Sequence, residues 1–361
     1  MPKKPAAPAV APPLPREPVH DRLKAIAVGL STDDKVSPIL RSLCFVGRKG
    51  GKVYAFNEKV AAVAKFDAPF EGAVRGKVFL DWLGAVTGKD LMVEPTEEAL
   101  SIRCGRARLE LPLMAASEFV FEEPIMGADA VTAGDDFPAL LRDVALCLGT
   151  EPGQEWAFGL TMLFGKTSVE LFTSDNVISA SATAAAKVPK ALRGKAVLVP
   201  PQFVPILLKV GKGDAFKVGE QWLSMKSGDV TYYGRLGDAV SVKTYREIME
   251  GVREAGKTAK TLPPTWWGIM RRHVGILAGE KDQVTQFTVA DDKLTVLSRG
   301  GNGQAKDTAT FGGKVGTFDV KVLPDVLMRV PKSAGRIALV ASHKLAFIGK
   351  TARYAVHVLG E

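Results

Sequence analysis

Hydrophobic positions recur with a helical period in three segments of the chain. These are HDRLKAIAVGLS from His20, FPALLRDVALCLG from Phe137 and PPTWWGIMRRHVGIL from Pro263. Each predicts an amphipathic helix. The segments that follow them, KVYAFNEKVAAVAKF, MLFGKTSVELFTSD and VTQFTVADDKLTVLS, alternate apolar and polar residues around Gly, Asn or Asp. That pattern predicts a β-hairpin after each helix.

A second helix-then-strands pattern closes each of these stretches. Helical periodicity returns in KVFLDWLGAVTG from Lys77, PPQFVPILLKVG from Pro200 and DVKVLPDVLMRVP from Asp319. Alternating strands follow in ALSIRCGRARLELPL, QWLSMKSGDVTYYGRL and RIALVASHKLAFIGKTARYAVHVL. The same order therefore occurs three times, at intervals of about 120 residues, which indicates an internal structural repeat. We predict an α+β protein with three similar domains, at residues 20–125, 126–250 and 251–361.

The N-terminal segment differs from this repeat. Its first 18 residues contain seven prolines, interleaved with alanine. Proline lacks the backbone N–H that a helix ladder needs, and the segment has little apolar side chain to bury. Residues 1–19 are therefore predicted to form a disordered tail.

The composition is that of an ordinary globular protein, with 46% hydrophobic and 24% charged residues in 361. No apolar run approaches the roughly 18–20 residues that span a bilayer, and the start lacks the apolar core of a secretory signal. Three widely spaced cysteines form neither a disulfide framework nor a CxxC metal site. We expect a cytoplasmic protein without membrane contact, disulfides, metal or cofactor.

The net charge of +9 favours a polyanionic partner. Basic residues occur on the predicted helices, where an apolar stripe packed on a sheet would leave them facing outwards. A solvated helix face without a partner is the alternative interpretation. The basic residues placed in this way are Lys24, Arg142, Lys209, Lys212, Arg271, Arg272, Arg329 and Lys332.

From about His20 to the C-terminus the chain resembles the bacterial DNA polymerase III beta subunit, the sliding clamp. The resemblance lies in KVSPILRSLCFV and GRARLELPLMAASEF, then MLFGKTSVELFTSD and VLVPPQFVPILLK, and finally GILAGEK and ARYAVHVLGE. No segment is a strong motif alone; their collinear order at the family's spacing makes the resemblance specific.

The resemblance implies a non-catalytic processivity factor. It implies three clamp domains per chain and two chains joined head to tail in a ring, with helices inside and antiparallel sheets outside. Double-stranded DNA would pass through the ring, and DNA polymerase and clamp loader would bind through short peptides. Lys35, which stands before SPIL, matches a DNA-contacting basic position of the family.

Two further sites follow from the resemblance. The subunit interface would join the end of the first helix of domain three to a strand of domain one, at Ile276, Leu277, Leu109 and Leu111. The pocket for partner peptides would lie between domains two and three. Its residues would be Leu160, Ser174, Asn176, Ile178, Ile248, Val356, Val358 and Leu359.

The chain departs from the family at that pocket. The family's TDGHRL is SDNVIS at Ser174 to Ser179, and the Met-Pro-Met ending is HVL at His357 to Leu359. The pocket stays apolar, but its peptide preference is expected to differ. Such a divergence is expected of a replicon that has its own polymerase. The expected location is therefore the cytoplasm of a prokaryotic cell or of a phage-infected prokaryotic host.

Two alternatives to a sliding clamp stay open. One is a nucleotide-binding enzyme with a P-loop, because Gly251 to Thr258 matches the phosphate-binding pattern GxxxxGK[ST]. Such a loop must follow a buried strand and open a helix. The polar YREIME before it and the two prolines after it favour a linker between domains two and three. A clamp-like scaffold that binds proteins without encircling DNA is the other alternative.

Overall fold

The structure is a computed structural model that describes residues 12–47, 50–151, 157–239, 242–279, 284–301, 303–340 and 344–358. These residues form two compact units. The first unit takes its residues from 1–128 and 216–235, and the second takes its residues from 129–215 and 236–361. The boundaries of the three proposed domains stay predictions.

Helices and strands are numbered here in chain order. The described helices are α1 (Arg16–Ile26), α2 (Gly76–Ala85), α3 (Phe137–Ala145), α4 (Val204–Leu207), α5 (Val242–Gly256), α6 (Trp266–Leu277) and α7 (Pro324–Met328). The described strands are β1 (Leu14–Pro15), β2 (Ser42–Val46), β3 (Lys52–Phe56), β4 (Val60–Lys65), β5 (Gly72–Arg75), β6 (Asp90–Pro95), β7 (Ala99–Cys104), β8 (Ala107–Pro112), β9 (Val131–Ala133), β10 (Leu160–Phe164), β11 (Ser168–Ser174), β12 (Ile178–Lys187), β13 (Ala196–Val199), β14 (Ala215–Val218), β15 (Trp222–Ser227), β16 (Val230–Arg235), β17 (Lys260–Thr261), β18 (Thr285–Ala290), β19 (Lys293–Gly300), β20 (Gly303–Thr310), β21 (Phe318–Val322), β22 (Arg336–Val340), β23 (Lys344–Ile348) and β24 (Ala352–His357).

The first unit contains two antiparallel sheets, in the orders β1-β6-β7-β8 and β14-β15-β16-β4-β3-β2-β5. Strand β16 pairs with β4, with Val230 opposite Ala64, so a hairpin distant in sequence extends this sheet. The predicted first helix begins at Arg16 rather than His20. Proline is tolerated in the first turn of a helix, where its missing N–H would have no partner. The proposed disordered tail is therefore wrong for residues 14–19, since Leu14 and Pro15 also form strand β1 and pair with β6.

In the second unit the sheet β13-β10-β11-β12-β24-β23-β22-β17 carries a helix on each face. The Thr173 hydroxyl donates to the Val144 carbonyl of α3 at 2.6 Å, whereas the ring of Phe172 stacks on Tyr245 of α5 at 5.3 Å. Successive side chains of a strand point to opposite faces, so α3 and α5 cover opposite sides of the sheet. A separate antiparallel sheet, β20-β19-β18-β21, packs against α6.

The second helical pattern of each repeat is shorter than predicted. Of the three segments, only that from Lys77 forms a helix of ten residues, which is α2. The Pro200 segment forms a 3₁₀ turn and the one-turn helix α4. The helix predicted from Asp319 begins only at Pro324, as α7, because Phe318–Val322 is strand β21. Val320 and Val322 alternate with exposed residues in that strand, which is a period of two. No helix in the described ranges is long and apolar enough to cross a membrane.

Candidate nucleic-acid and partner interfaces

The amphipathic helices present basic side chains to solvent, as the sequence predicts. In α3, Phe137, Leu141 and Val144 are buried and Arg142 is exposed. Lys24 is likewise exposed on α1, opposite the buried Leu23. Burial of the apolar stripe orients such a helix and leaves the opposite side for charge. The other predicted basic residues that are exposed are Lys35, Lys209, Lys212, Arg271, Arg272 and Lys332.

Eight of the nine basic candidates fall into two groups according to their ion pairs. Three members lie close to a carboxylate: Lys212 Nζ to Asp135 at 2.9 Å, Arg272 to Asp307 at 2.6 Å and Arg329 to Asp175 at 2.6 Å. Within the described part of the chain, no ion pair involves Lys24, Lys35, Arg142, Arg271 or Lys332. The second group is not held by a carboxylate contact, although Arg142 interacts electrostatically with the neighbouring Asp143 and lowers the pKa of that carboxyl against the effect of burial.

Arg329 differs from the other basic candidates in its surroundings. Its side chain is 35% exposed, and its guanidinium donates to Asp175 Oδ2. The other oxygen of Asp175 accepts hydrogen bonds from the backbone N–H groups of Val177 and Ile178, at 3.0 and 2.9 Å. Arg329 therefore holds the turn between β11 and β12, where Asn176 has a left-handed φ of 74°.

The predicted partner pocket is distributed over both faces of the second unit's sheet. Leu160 pairs with Thr173, and Ile178 pairs with Val356. All of the apolar side chains in these pairs are buried. Thr173 faces α3, so Leu160 does as well. Tyr354 lies two residues before Val356 on β24, so both side chains point to the same face of the sheet. The pKa of Tyr354 is raised mainly by burial and also by Asp143 and Cys147 at α3. This face is therefore the α3 side.

The remaining pocket residues differ in position. Ile248 packs on the opposite, α5 side, with Tyr245 and Met249. Ser174 is buried, and its hydroxyl lies 2.9 Å from that of Ser179. Val358 is buried, and Leu359 lies outside the described residues. The sheet thus separates Ile248 from the buried residues on the α3 side. On that side Asn176 lines a cavity of about 450 Å³ with Asp175 and Arg329.

The predicted subunit interface falls at the edges of two sheets. Leu109 and Leu111 belong to β8, the edge strand of the first unit's smaller sheet. Leu109 is half-buried, but Leu111 is buried within the unit. In α6, Ile276 is half-buried, whereas Leu277 is only 1% exposed. Leu109 and Ile276 are therefore the pair that a second chain could contact.

A buried polar network anchors α6 to its sheet. His273 is fully buried; its Nδ1 lies 2.7 Å from the hydroxyl of Ser298, and its Nε2 lies 3.2 Å from Asp307. The Ser298 hydroxyl also contacts Thr285 at 2.6 Å. Burial lowers the pKa of His273, and Asp307 opposes this shift. The serine, histidine and aspartate resemble a hydrolytic triad, but Ser298 is fully buried and inaccessible to substrate.

The GxxxxGK[ST] segment does not form a phosphate loop. Residues Gly251 to Gly256 lie inside helix α5 rather than in a loop. Their backbone amides are engaged in the helix and cannot cradle a phosphate. Lys257 Nζ instead lies 2.5 Å from Glu254. The amphipathic pattern of VKTYREIMEGVREAG, with Tyr245, Met249 and Val252 buried, was the signal for this helix.

Sequence reasoning missed two basic residues near the start of α2. Arg41 and Arg75 line a cavity of about 600 Å³ together with Lys77. Arg41 lies 2.6 Å from Asp34, and Lys77 lies 2.6 Å from Asp81. Arg75 immediately precedes a predicted amphipathic segment, and this position was its only available signal.

Solved structures of bacterial sliding clamps share the fold of this chain over nearly its whole length. No protein-family profile matches it. The DNA polymerase sliding clamp from Bacillus subtilis superposes with a TM-score of 0.79 and 13% identity, over 97% of this chain and 98% of that one. The beta sliding clamp of C. crescentus gives 0.80 and 17%, over 97% and 99%. The Helicobacter pylori beta clamp, solved with a DNA ligase peptide, gives 0.74 and 13%, over 96% and 99%. The chain therefore has the α+β sliding-clamp fold.

Proposed function

We propose that this protein is a DNA sliding clamp, a non-catalytic processivity factor that encircles duplex DNA and tethers a replicative polymerase. The observation that carries the proposal is the match of 97% of the chain to clamp chains of almost the same extent. A match of this extent covers nearly the whole length of those clamp chains rather than one shared segment. Two chains would join head to tail to close the ring, in the cytoplasm of a prokaryotic cell or of a phage-infected host.

The exposed basic residues suit the proposed contact with DNA. A clamp must stay on DNA and still move along it. Phosphate contacts from Lys and Arg are independent of base sequence, so they do not favour one position over another. Lys24, Lys35, Arg142 and Arg271 are exposed and have the flexible side chains that such contacts need.

The proposed ring needs an interface between two copies of the chain. Strands β8 and β20 each end a sheet in the described structure. An unpaired strand edge can add a strand from another chain, and half-buried apolar residues beside it strengthen the contact. We assign Leu109 beside the β8 edge and Ile276 on α6 to this interface.

Partner peptides are the second component of the proposal. The H. pylori clamp binds a DNA ligase peptide. By analogy, a polymerase and a clamp loader would bind this chain near the β11–β12 turn and β24. The different SDNVIS sequence and the covering helix α5 favour a peptide preference of its own.

Two measurements test the proposed function. Light scattering should give about twice 38.6 kDa for the wild type and one chain for Ile276→Asp. Val120→Asp is the matched control, since Val120 is 71% exposed in the other unit. The protein loaded on circular DNA should remain bound and should dissociate when the circle is cut. Equal loss from circular and linear DNA would contradict encirclement and favour the scaffold alternative.

A further inference from the structure

A basic cavity lies in the second unit and shares only Lys212 with the basic residues predicted to contact DNA. Its volume is about 580 Å³, within the range of ligand pockets. It is bounded by β9, the end of β12, the β10–β11 turn and the loop before β13. Its basic lining residues are Lys166, Lys187, Arg193 and Lys212.

The positions of three of these residues, Lys166, Lys187 and Arg193, are set by the surrounding backbone. Lys187 pairs with Thr132 across β12 and β9. Lys166 is next to Thr167, whose carbonyl accepts a hydrogen bond from the Ala186 N–H at 3.0 Å. Arg193 Nε donates to the Val188 carbonyl at 3.3 Å, which leaves its terminal nitrogens for another acceptor.

The charge around the cavity is strongly positive. The segment KVPKALRGK at residues 187–195 has four basic residues and no acidic one. Among the described residues, Lys166, Lys187 and Arg193 form no ion pair, and only Lys212 contacts a carboxylate, that of Asp135. That pair is about three-quarters exposed at each partner, so it contributes little energy and can be exchanged for another anion.

The inner wall of the cavity is apolar. Ala133, Ala186 and Val188 line it, and each is nearly buried. Gly134 brings the two strands together there, since a Cβ at this position would lie 2.5 Å from the Ala185 carbonyl. The cavity therefore combines a basic rim with a small apolar floor.

We propose that the basic cavity binds an acidic peptide segment of a partner protein, with an aliphatic side chain on the apolar floor. Clusters of basic side chains recognise acidic motifs through charge-assisted hydrogen bonds. Duplex DNA presents phosphates on a convex surface and gains nothing from an apolar floor. Single strands are held by stacking on aromatic side chains, and the described lining of this cavity has none.

Fluorescence anisotropy with defined probes tests the proposal. The probes are a labelled peptide Glu-Asp-Glu-Leu-Val-Asp-Glu-Asp, the same peptide with Ser-Ser in place of Leu-Val, oligo-dT and a short duplex. We expect the Leu-Val peptide to bind and the Ser-Ser peptide to bind several-fold more weakly. Lys187→Glu with Arg193→Glu should weaken the Leu-Val peptide about tenfold or more, because like charges then face each other.

Two further variants separate charge from shape and from misfolding. Ala185→Trp fills the mouth of the cavity without a change in charge, at an exposed position, and should weaken the peptide as well. Lys226→Glu reverses an exposed charge in the other unit and should leave peptide affinity unchanged. Circular dichroism would show that each variant is folded.

The proposal is overturned by equal affinity for the Leu-Val and Ser-Ser peptides, or by absence of peptide binding. It is also overturned if the double variant weakens oligo-dT or duplex while peptide affinity stays constant, which would assign the cavity to nucleic acid. Retention on circular DNA is measured in a separate experiment. Failure of the peptide-binding test would therefore not contradict the proposed clamp function.

Discussion

The division of the basic helix residues into paired and unpaired groups predicts different roles in DNA binding. Arg142 is exposed on α3, and no ion pair involves it in the described structure. Arg272 is held by Asp307 through two hydrogen bonds, Nη2 to Oδ1 at 2.6 Å and Nε to Oδ2 at 3.2 Å. Asp307 raises the pKa of Arg272 and Arg272 lowers the pKa of Asp307. We expect Arg142 to contact phosphate and Arg272 to stay with its carboxylate.

The magnitude follows from counterion release. Each phosphate contact contributes about 0.9 to the slope of log affinity against log salt concentration. A ring of two chains loses two contacts when Arg142→Gln is introduced, so the slope should become shallower by about 1.8. Between about 50 and 200 mM salt, the variant should therefore lose roughly tenfold less affinity than the wild type.

The comparison variant removes the Arg272 pair. Arg272→Gln with Asp307→Asn leaves the net charge unchanged and should leave the salt slope unchanged as well. Lys226→Gln removes one exposed charge far along the chain from α3 and controls for net charge alone. Anisotropy of a labelled duplex over a salt series measures all four proteins. A shallower slope for the Arg272 pair variant, equal to that for Arg142→Gln, would refute the reasoning.

Two other predictions concern stability. The lowered pKa of His273 means that the unfolded chain binds a proton more readily than the folded chain. Melting temperature should therefore fall as pH decreases through about 6.5, and His273→Gln should reduce this dependence; an unchanged slope would exclude His273 as its source. For Arg329 and Asp175, a double-mutant cycle with Arg329→Met and Asp175→Asn should give a coupling of about 0.5–1 kcal/mol in unfolding free energy, because the pair is partly exposed. Additive effects would contradict the assigned contact.

Local patterns predicted the hairpins well because their information is local. The segment KVYAFNEKVAAVAKF becomes strands β3 and β4 around a turn, where the side chain of Asn57 accepts hydrogen bonds from the Lys59 and Val60 N–H groups. A side chain that bonds its own backbone two or three residues on defines such a turn from sequence alone. Apolar periodicity likewise located α1, α3 and α6.

The pairing of distant strands was beyond sequence reasoning. Strand β16 pairs with β4, and β24 pairs with β12. Alternation gives the buried face of each strand, but edge partners are chosen by tertiary packing. Helix α5 was missed because its polar majority resembled a linker. Its apolar stripe of Tyr245, Met249 and Val252 becomes meaningful only against the sheet that it covers.

Helix periodicity gave the exposure of the candidates that lie on described helices, which are Lys24, Arg142, Arg271 and Arg272. It did not give the carboxylate partners of the paired candidates. Asp307 is 35 residues from Arg272, and Asp175 is 154 residues from Arg329. No local pattern connects residues at such separations. For the same reason, the predicted partner pocket contained residues that the folded sheet places on opposite faces.

Ion pairs within the protein affect how tightly the proposed clamp would hold DNA while it slides. If every predicted cation contacted phosphate, the many contacts of two chains would give tight, strongly salt-dependent binding. Carboxylates that hold Arg272 and Arg329 reduce the number of cations available to DNA. Weaker contacts lower the energy needed to move from one phosphate to the next, and a closed ring needs no strong contact to stay bound. The number of unpaired cations, rather than the net charge of the helices, should therefore determine both the affinity for DNA and the mobility along it.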